Sequence, residues 1–376
     1  MTSIVHMTSA HSGTDVRIFH KMARSQAARG WSVTVIAPIT ADGSSSQTGK
    51  RNGVTVDFFA DPRLRRRAWR ATFGAMRVTW RALKGRPDMV QAHDPELIPF
   101  LVLLRLFGIK TIFDAHEDFY AQNQHKDWTR GVKRYAIQGY ARLLLMLARR
   151  FCWHILAATD GVARAYPAHK TTVVRNYPIK GELGEVSPDA VGDHPNHIAY
   201  IGGISEPRGI KQMLDAIVLC SDVTCLELAG KFETPALEAE IRAHRGWDKV
   251  KFHGYLDRDG LKGLFGRVKA GLVLLHPTPN HLHSIPVKLM EYYSVGLPVI
   301  ASDFLADTNL VVPDITGLTV APLDVDAIAA MMQKIMQEGV AQHLAQGVSD
   351  GPQKTFVWQA EADHMNGVLS RELGKE

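Results

Sequence analysis

No apolar stretch of this 376-residue sequence is long enough to cross a membrane. Its longest runs, Leu97–Leu104 and Leu143–Ala148, fall well below the roughly 18 residues of a spanning helix. A signal peptide is not expected either: residues 2–37 carry polar and charged side chains throughout, and the apolar run Ile4–Val5 is far too short. Cysteine is scarce. Cys152, Cys220 and Cys225 show no metal-ligand spacing, which argues against a disulfide scaffold or a local zinc motif and predicts buried thiols in a reducing cytoplasm. Internal repeats are absent, and the loop after the first strand lacks G-x-G-x-x-G, so a dinucleotide site is not indicated there. What is present is enough apolar residue, 45%, against 22% charged, to build a packed globular core, and enough length for two domains.

Acidic residues are under-represented in the first half only. Residues 1–175 hold 27 Lys and Arg against 12 Asp and Glu, net +15; residues 176–376 hold 17 against 26, net −9. A basic half joined to an acidic one points the first half toward an anionic partner: lipid headgroups, a diphosphate-linked acceptor or nucleic acid. The basic residues concentrate in two expected helices. Arg63–Arg86 interleaves Arg65, Arg66, Arg67, Arg70, Arg77, Arg81 and Lys84 with Trp69, Phe73, Met76 and Trp80. Trp128–His154 sets Arg130, Lys133, Arg134, Arg142, Arg149 and Arg150 beside Tyr135, Tyr140 and a Leu-rich stripe. Such helices fit a membrane surface, or pack their apolar stripe on a sheet with the cations in water.

The chain opens as strand Ser3–Met7, loop Thr8–Asp15, helix Val16–Arg29 with Asp15 as N-cap, and strand Trp31–Ala37, the beginning of a doubly wound α/β domain. Ala41–Asn52 reads as a loop and Val54–Phe59 as a strand. Strands Asp88–His93 and Lys110–Phe113 end in HDPEL and DAHED. His11 and Gly13, His93 and Asp94, and His116 and Glu117 therefore come to one sheet edge, where histidines and carboxylates are expected to form an active site. The spacing of His93 and His116 matches no local metal-ligand motif, and no metal is expected. The polar segment Ile179–Asn196 is the expected linker.

The second half begins with strand His197–Ile201 and the loop Gly202–Gly209, GGISEPRG, before helix Ile210–Cys220. Glycines let backbone N–H groups approach a phosphate, and Arg208 and Lys211 could neutralise it; Gly203 lies in the same loop. Asp257 and Asp259 spell D-x-D, but they sit directly before a helix and are expected to cap it rather than hold a metal. The stretch His283–Ser302, HSIPVKLMEYYSVGLPVIAS, reads as a helix whose first turn suits Ser284 and Pro286, with an apolar face at Val287, Met290 and Tyr293 or Ser294. The helix closes at Gly296, and a buried strand follows. Its N-terminus can face an anion, and Glu291 could accept two vicinal ribose hydroxyls, with Lys288 one turn before it. An ordinary amphipathic helix with a solvent-facing Lys288/Glu291 pair fits the spacing equally.

This last stretch resembles the signature of the retaining glycosyltransferases of family 4, E-x7-E followed by A-x-G-x-P-V-I-A-S. Glu291 is the second glutamate, and SVGLPVIAS matches the tail. His283 replaces the first glutamate. Pro286, Lys288, Leu289, Glu291 and Tyr292 resemble the P-x-K-L-x-E-Y form of a bacterial surface-polysaccharide branch. GGISEPRG resembles G-R-x-x-x-E-K-G, with Arg208 in the Lys position and Gly203 in that of the Arg, and Lys288 could replace the missing cation.

The resemblance implies a GT-B fold: an α/β protein of two Rossmann-like doubly wound domains facing across a cleft, the C-terminal helix crossing back to the first. The implied division is an acceptor domain at 1–178, the linker 179–196, a donor domain at 197–352 and the returning helix at 353–376. It also implies retaining transfer from a UDP- or GDP-linked sugar to a glycan or lipid-linked saccharide, without cofactor or metal, at the cytoplasmic face of the membrane. Glu291 would take ribose. Arg208, Lys211, Gly13, Gly203 and the backbone of Ser284–Lys288 would take the rest of the donor. His116 would stand at the reacting centre, and His11, His93, Asp94, Glu117 and His283 would contact sugar or acceptor. Two other readings are a nucleotide-sugar epimerase of the same architecture, which leaves the basic-aromatic face unexplained, and a nucleic-acid-binding protein, which leaves Glu291 and its helix unexplained.

Overall fold

Short runs of Val, Ile, Ala and Leu, bounded by polar loops, form two separate sheets. The computed structural model describes residues 1–39, 48–60, 69–116, 132–282 and 285–374. Glu117, His283, Ser284, Arg63, Arg65–Arg67 and the start of the second basic helix at 128–131 lie outside the described residues. The chain forms two units, Met1–Asn176 with Ala360–Glu376, and Tyr177–Gln359.

The first unit has eight described strands: β1 Ser3–Met7, β2 Ser32–Pro38, β3 Gly49–Arg51, β4 Val54–Phe59, β5 Met89–Ala92, β6 Lys110–Ala115, β7 His154–Ala157 and β8 Thr171–Val173. Their order is β3-β4-β2-β1-β5-β6-β7-β8, parallel except for the edge strand β3, which runs antiparallel to β4. β3 falls where the sequence reads as a loop: it is a polar hairpin arm turned at Asn52–Gly53, both at positive φ, and it carries no apolar signal. β1 and β5 are neighbours, so the strand order reverses there, and the loops after their carboxyl ends lie at the switch point.

Helix α1, residues 16–28, is capped by Asp15, whose side chain accepts from the N–H groups of Arg17 and Ile18. Helices α2 (Ala75–Lys84), α3 (Ile98–Leu106) and α4 (Val132–Phe151) pack in succession, α2 on α3 and α3 on α4. The second basic helix thus stops at Phe151 rather than at His154, which is the first residue of β7.

In the second unit the strands are β9 His197–Ile201, β10 Cys225–Ala229, β11 Val250–Gly254, β12 Ala270–Val273, β13 Val299–Ser302 and β14 Gly317–Val320. They form an all-parallel sheet in the order β11-β10-β9-β12-β13-β14. Its switch point lies between β9 and β12, directly below the Gly202–Gly209 loop. Segment 179–196, read from its polarity as a linker, is folded into this unit: helix α5 (Pro188–Asp193) contributes Val191 to the core, and Leu183 is buried there too. Val191 and Leu183, with Val186 packed beside the same core, anchor the segment among polar residues, a pattern too sparse to register as a helix.

Helix α6 (Ile210–Leu219) follows the glycine loop, and Gly209 at φ 78° comes so close to the Leu274 carbonyl that a Cβ would lie 2.3 Å from it. Helix α7 (Arg258–Phe265) is capped by Asp257, which accepts from Gly260 N–H at 2.9 Å. Helix α8 (Val287–Val295) ends at Gly296, φ 92°. Its orientation differs from the expected one: Val287 is exposed, whereas Lys288, Leu289, Met290, Tyr292 and Tyr293 are buried. Tyr292 sets this rotation. Its hydroxyl donates to Ala199 O and accepts from Ile201 N–H on β9, and its ring fills the place where a Cβ on Gly271 would stand. The final helix α9 (Trp358–Leu373) leaves the second unit at Gln359 and belongs to the first unit from Ala360, where Asn366 donates to Ser25 O and the Glu372 carbonyl accepts from Lys110.

Candidate functional site

In the first unit the loop after β1 is held by one carboxylate. Buried Asp94 accepts from the Thr8 hydroxyl (2.7 Å) and from Ser9 N–H (2.7 Å), and its other oxygen lies 3.4 Å from His11 Nε2. Thr8 Oγ1 in turn accepts from His11 N–H at 2.8 Å. Asp94 therefore shapes the loop that carries His11. The His11 ring stacks on His116, centroids 5.6 Å apart. Gly13 is buried beneath Phe58, where a Cβ would lie 2.6 Å from the ring, so its missing side chain serves packing.

Behind this edge runs a polar chain that sequence reasoning missed. Asp114, fully buried, receives Arg17 through Nε (3.1 Å) and Nη2 (2.8 Å), His93 through Nδ1 (3.0 Å) and His116 through Nε2 (2.7 Å). His93 continues to His6 (2.9 Å), and His6 to Gln26 (2.6 Å). Burial alone would raise the Asp114 carboxyl, but Arg17 and His116 hold it well below the usual carboxylate range. The available signal was Arg17, a cation inside the apolar face of α1. His93, Asp114 and His116 place ligand atoms within 4.8 Å of one another, a spacing that could bridge a metal ion. Their chemistry does not suit one: the Arg17 guanidinium already occupies both Asp114 oxygens and would repel a cation.

In the second unit the loop after β9 and the start of α8 place cations together. Lys288 Nζ is buried, has no hydrogen-bond partner, and stands 3.4 Å from the centroid of the Tyr200 ring. Gly202, φ 100°, lies beside it; a Cβ there would be 3.7 Å from Lys288 Cε. Arg208 folds back on the loop, donating to Gly203 O at 3.1 Å, and a side chain on Gly203 would collide with its guanidinium. Burial, with Arg208 close by, pushes the Lys288 ammonium well below its ordinary range, and Glu291 opposes this. A buried amine without an acceptor, beside a guanidinium and the first turn of a helix, is a site built for an anion.

Glu291 is largely buried and accepts from Arg258 of α7 at 3.1 Å. Pro286 is buried, Ile285 half-buried and Val287 exposed at the same helix start. Lys211 turns elsewhere, to Glu240 (2.9 Å) and Glu206 (3.4 Å). The fold thus brings Lys288, Arg208, Gly203 and Glu291 together in one unit, and His11, His93, Asp94 and His116 in the other.

Two doubly wound sheets, parallel except for the edge strand β3 and each with polar residues at its switch point, form a GT-B fold. Residues 16–176 match the family model described as Glycosyltransferase Family 4, and residues 195–338 that described as Glycosyl transferases group 1. The chain thus carries a family 4 glycosyltransferase domain followed by a group 1 glycosyltransferase domain, and it is an enzyme of glycosyl transfer.

It is 22% identical to glycogen synthase of Mycobacterium tuberculosis, over 74% of this chain and 67% of that one. It is 23% identical to the amylovoran biosynthesis glycosyltransferase AmsK of Erwinia amylovora, over 47% of this chain and 44% of that one. Among solved structures it is similar to sucrose-phosphate synthase from Thermosynechococcus elongatus (TM-score 0.77, 18% identity, all of both chains). It is also similar to Anabaena HepE in complex with UDP-glucose (TM-score 0.72, 15% identity, 99% of this chain and 100% of that one).

Proposed function

We propose that this glycosyltransferase moves a sugar, with retention at the anomeric carbon, from a UDP- or GDP-linked donor to a glycan or lipid-linked saccharide in surface-polysaccharide assembly. The observation that carries the reading is Lys288: an unpartnered amine, buried between the Tyr200 ring and the glycine loop, with Arg208 and Glu291 close enough to perturb it. A nucleoside diphosphate suits all of these. Its phosphates pair with Lys288, Arg208 and the N–H groups of Val287 and Lys288 at the start of α8. Its ribose hydroxyls donate to Glu291. These cations stabilise the negative charge that grows on the diphosphate as the glycosidic bond breaks, so neither cofactor nor metal is needed. His116 meets the transferred sugar. HepE, solved with UDP and UDP-glucose, and AmsK, named for amylovoran biosynthesis, support the donor class and the polysaccharide role.

The first unit supports an acceptor at a membrane surface. Phe73, Met76 and Trp80 on α2 and its preceding turn, Leu106 and Phe107 at the end of α3, and Tyr135 and Met146 on α4 are each at least 50% exposed. Arg77, Lys84, Arg105, Arg149 and Arg150 lie on the same three helices. The aromatic stripe of α2 thus faces outward while Ala75, Val78, Thr79 and Ala82 pack inward. A cationic and apolar surface of this kind docks on anionic lipid. No helix among the described residues is long and apolar enough to cross a membrane.

The test is turnover of a panel of UDP- and GDP-sugars with bacterial lipid extract as acceptor, followed by NMR of the product's anomeric centre. An α-linked product from an α-linked donor is expected. An inverted product, or a donor sugar epimerised without any acceptor, overturns the proposal.

A further inference from the structure

The buried polar chain in the first unit fixes which atoms carry protons. The Arg17 guanidinium only donates, and an ionised carboxylate only accepts. His93 must then present Nδ1–H to Asp114, which leaves its Nε2 as an acceptor. His6 lies 2.9 Å away through Nδ1, so it donates from that atom and accepts at Nε2. Burial and the neighbouring His93 push His6 down to about 3, so its ring is neutral.

Facing His6 Nε2 at 2.6 Å is the side-chain amide of Gln26, whose Nε2 otherwise has no partner. A half-turn of that amide supplies the donor His6 needs. His116 reaches the same Asp114 oxygen as His93, through Nε2, and so donates from Nε2. The 3.5 Å approach between His116 Nε2 and His93 Nδ1 is then two donors sharing one acceptor, not a bond between the rings.

We propose that Asp114, oriented by Arg17 and backed by the His93–His6–Gln26 chain, is a positioning residue. It holds His116 with Nε2–H on the carboxylate, and in that tautomer Nδ1 is left as the acceptor for a hydroxyl of the transferred sugar. The use made of Nδ1 rests on the reading of His116 given above; the tautomers do not. The chain behind Asp114 has a physical purpose in this account. Each of its members donates in one direction only, so the carboxylate cannot turn away from His116 without stranding a buried donor.

The experiment is a long-range proton–nitrogen NMR correlation of the full chain labelled at histidine, recorded at about pH 8, where exposed histidines are neutral. Signals are assigned from those lost in His6→Gln, His93→Gln and His116→Gln. His6 and His93 should appear as Nδ1–H rings and His116 as Nε2–H, opposite tautomers within one cluster. A His116 ring protonated at Nδ1, or a His93 ring protonated at Nε2, overturns the proposal.

In Asp114→Asn the amide oxygen is expected to keep the shorter bond from Arg17 Nη2, which turns the NH2 toward the histidines. The His116 signal should then move to Nδ1–H or to a mixture, with turnover at least about tenfold lower and little change in donor affinity. A folded Asp114→Asn protein with an unchanged His116 tautomer removes the positioning role. If that variant does not fold, the wild-type spectrum still decides. Because the tautomers are read without substrate, a failure of the glycosyl-transfer reading does not alter them.

Discussion

In the proposed function Lys288 and Glu291 hold the donor, and each makes a separable prediction. Lys288→Met keeps the length and apolar stem of the side chain but removes the amine, so the fold should hold while nucleoside diphosphate affinity falls by at least about tenfold, as expected for a lost charge-assisted bond. Lys288 also titrates far below its ordinary range when no anion is present. A diphosphate reverses this by stabilising the charged form. Binding should therefore take up a proton, and affinity should fall as pH rises; calorimetry in buffers of different ionisation heat reads the uptake directly, and none should occur in Lys288→Met. Glu291→Ala should cost roughly 1–3 kcal/mol of nucleotide affinity by stranding the ribose hydroxyls, and equal affinity in calorimetry would remove the ribose role.

Legibility at this scale was uneven. Glu291, Lys288 and the histidines were visible as types at strand and helix ends. The burial of Lys288 was not, because the rotation of α8 is set by Tyr292 reaching β9 across 93 residues to Ala199, a contact without local signature. Arg17, Asp114, His6 and Gln26 were passed over for the same reason: each lies inside an ordinary strand or helix, and only the sheet order brings them together.

At the scale of elements, caps and glycine stops were readable wherever the signal is local. Asp15 before α1, Asp257 before α7 and Gly296 after α8 stand where their chemistry places them. Elements made by distant partners were not readable: β3 is polar and exists through its pairing with β4, and α5 is fixed by Val191 in the core of the second unit. The sequence left open whether the aromatic stripe of α2 packs on the sheet, and the structure turns Phe73, Met76 and Trp80 outward. The expected consequence is sedimentation with vesicles containing anionic lipid, weakened by salt over the range in which the Debye length shrinks and by the triple change Phe73→Ser, Met76→Ser, Trp80→Ser. Protein that stays in the supernatant with anionic vesicles at low salt would instead indicate a soluble acceptor.

For the whole molecule, two independently built sheets imply two different responses to acid. In the first unit His6 titrates near 3 instead of 6.5, so below pH 6.5 the unfolded chain binds a proton that the folded one refuses. Stability should fall by about 1.4 kcal/mol per pH unit for that proton, from 6.5 down toward 3. In the second unit Glu227, buried at β10 and paired with Arg267 and His253, is held at about 2 instead of 4.5: burial opposes this and is outweighed by those partners. Its contribution is complete above 4.5 and is lost as pH falls toward 2. Between pH 6 and 5, hydrogen exchange should therefore quicken in β1 and β5 before β10, and His6→Phe should blunt the effect; simultaneous loss in both units would contradict it. The central claim is that the second unit holds a nucleoside diphosphate through Lys288. It is tested most directly by calorimetric titration of UDP and GDP into the wild type and Lys288→Met. The account predicts that at least one nucleotide binds the wild type with proton uptake and that the variant loses both affinity and uptake; binding of neither nucleotide to the wild type, or equal affinity in the variant, would contradict it.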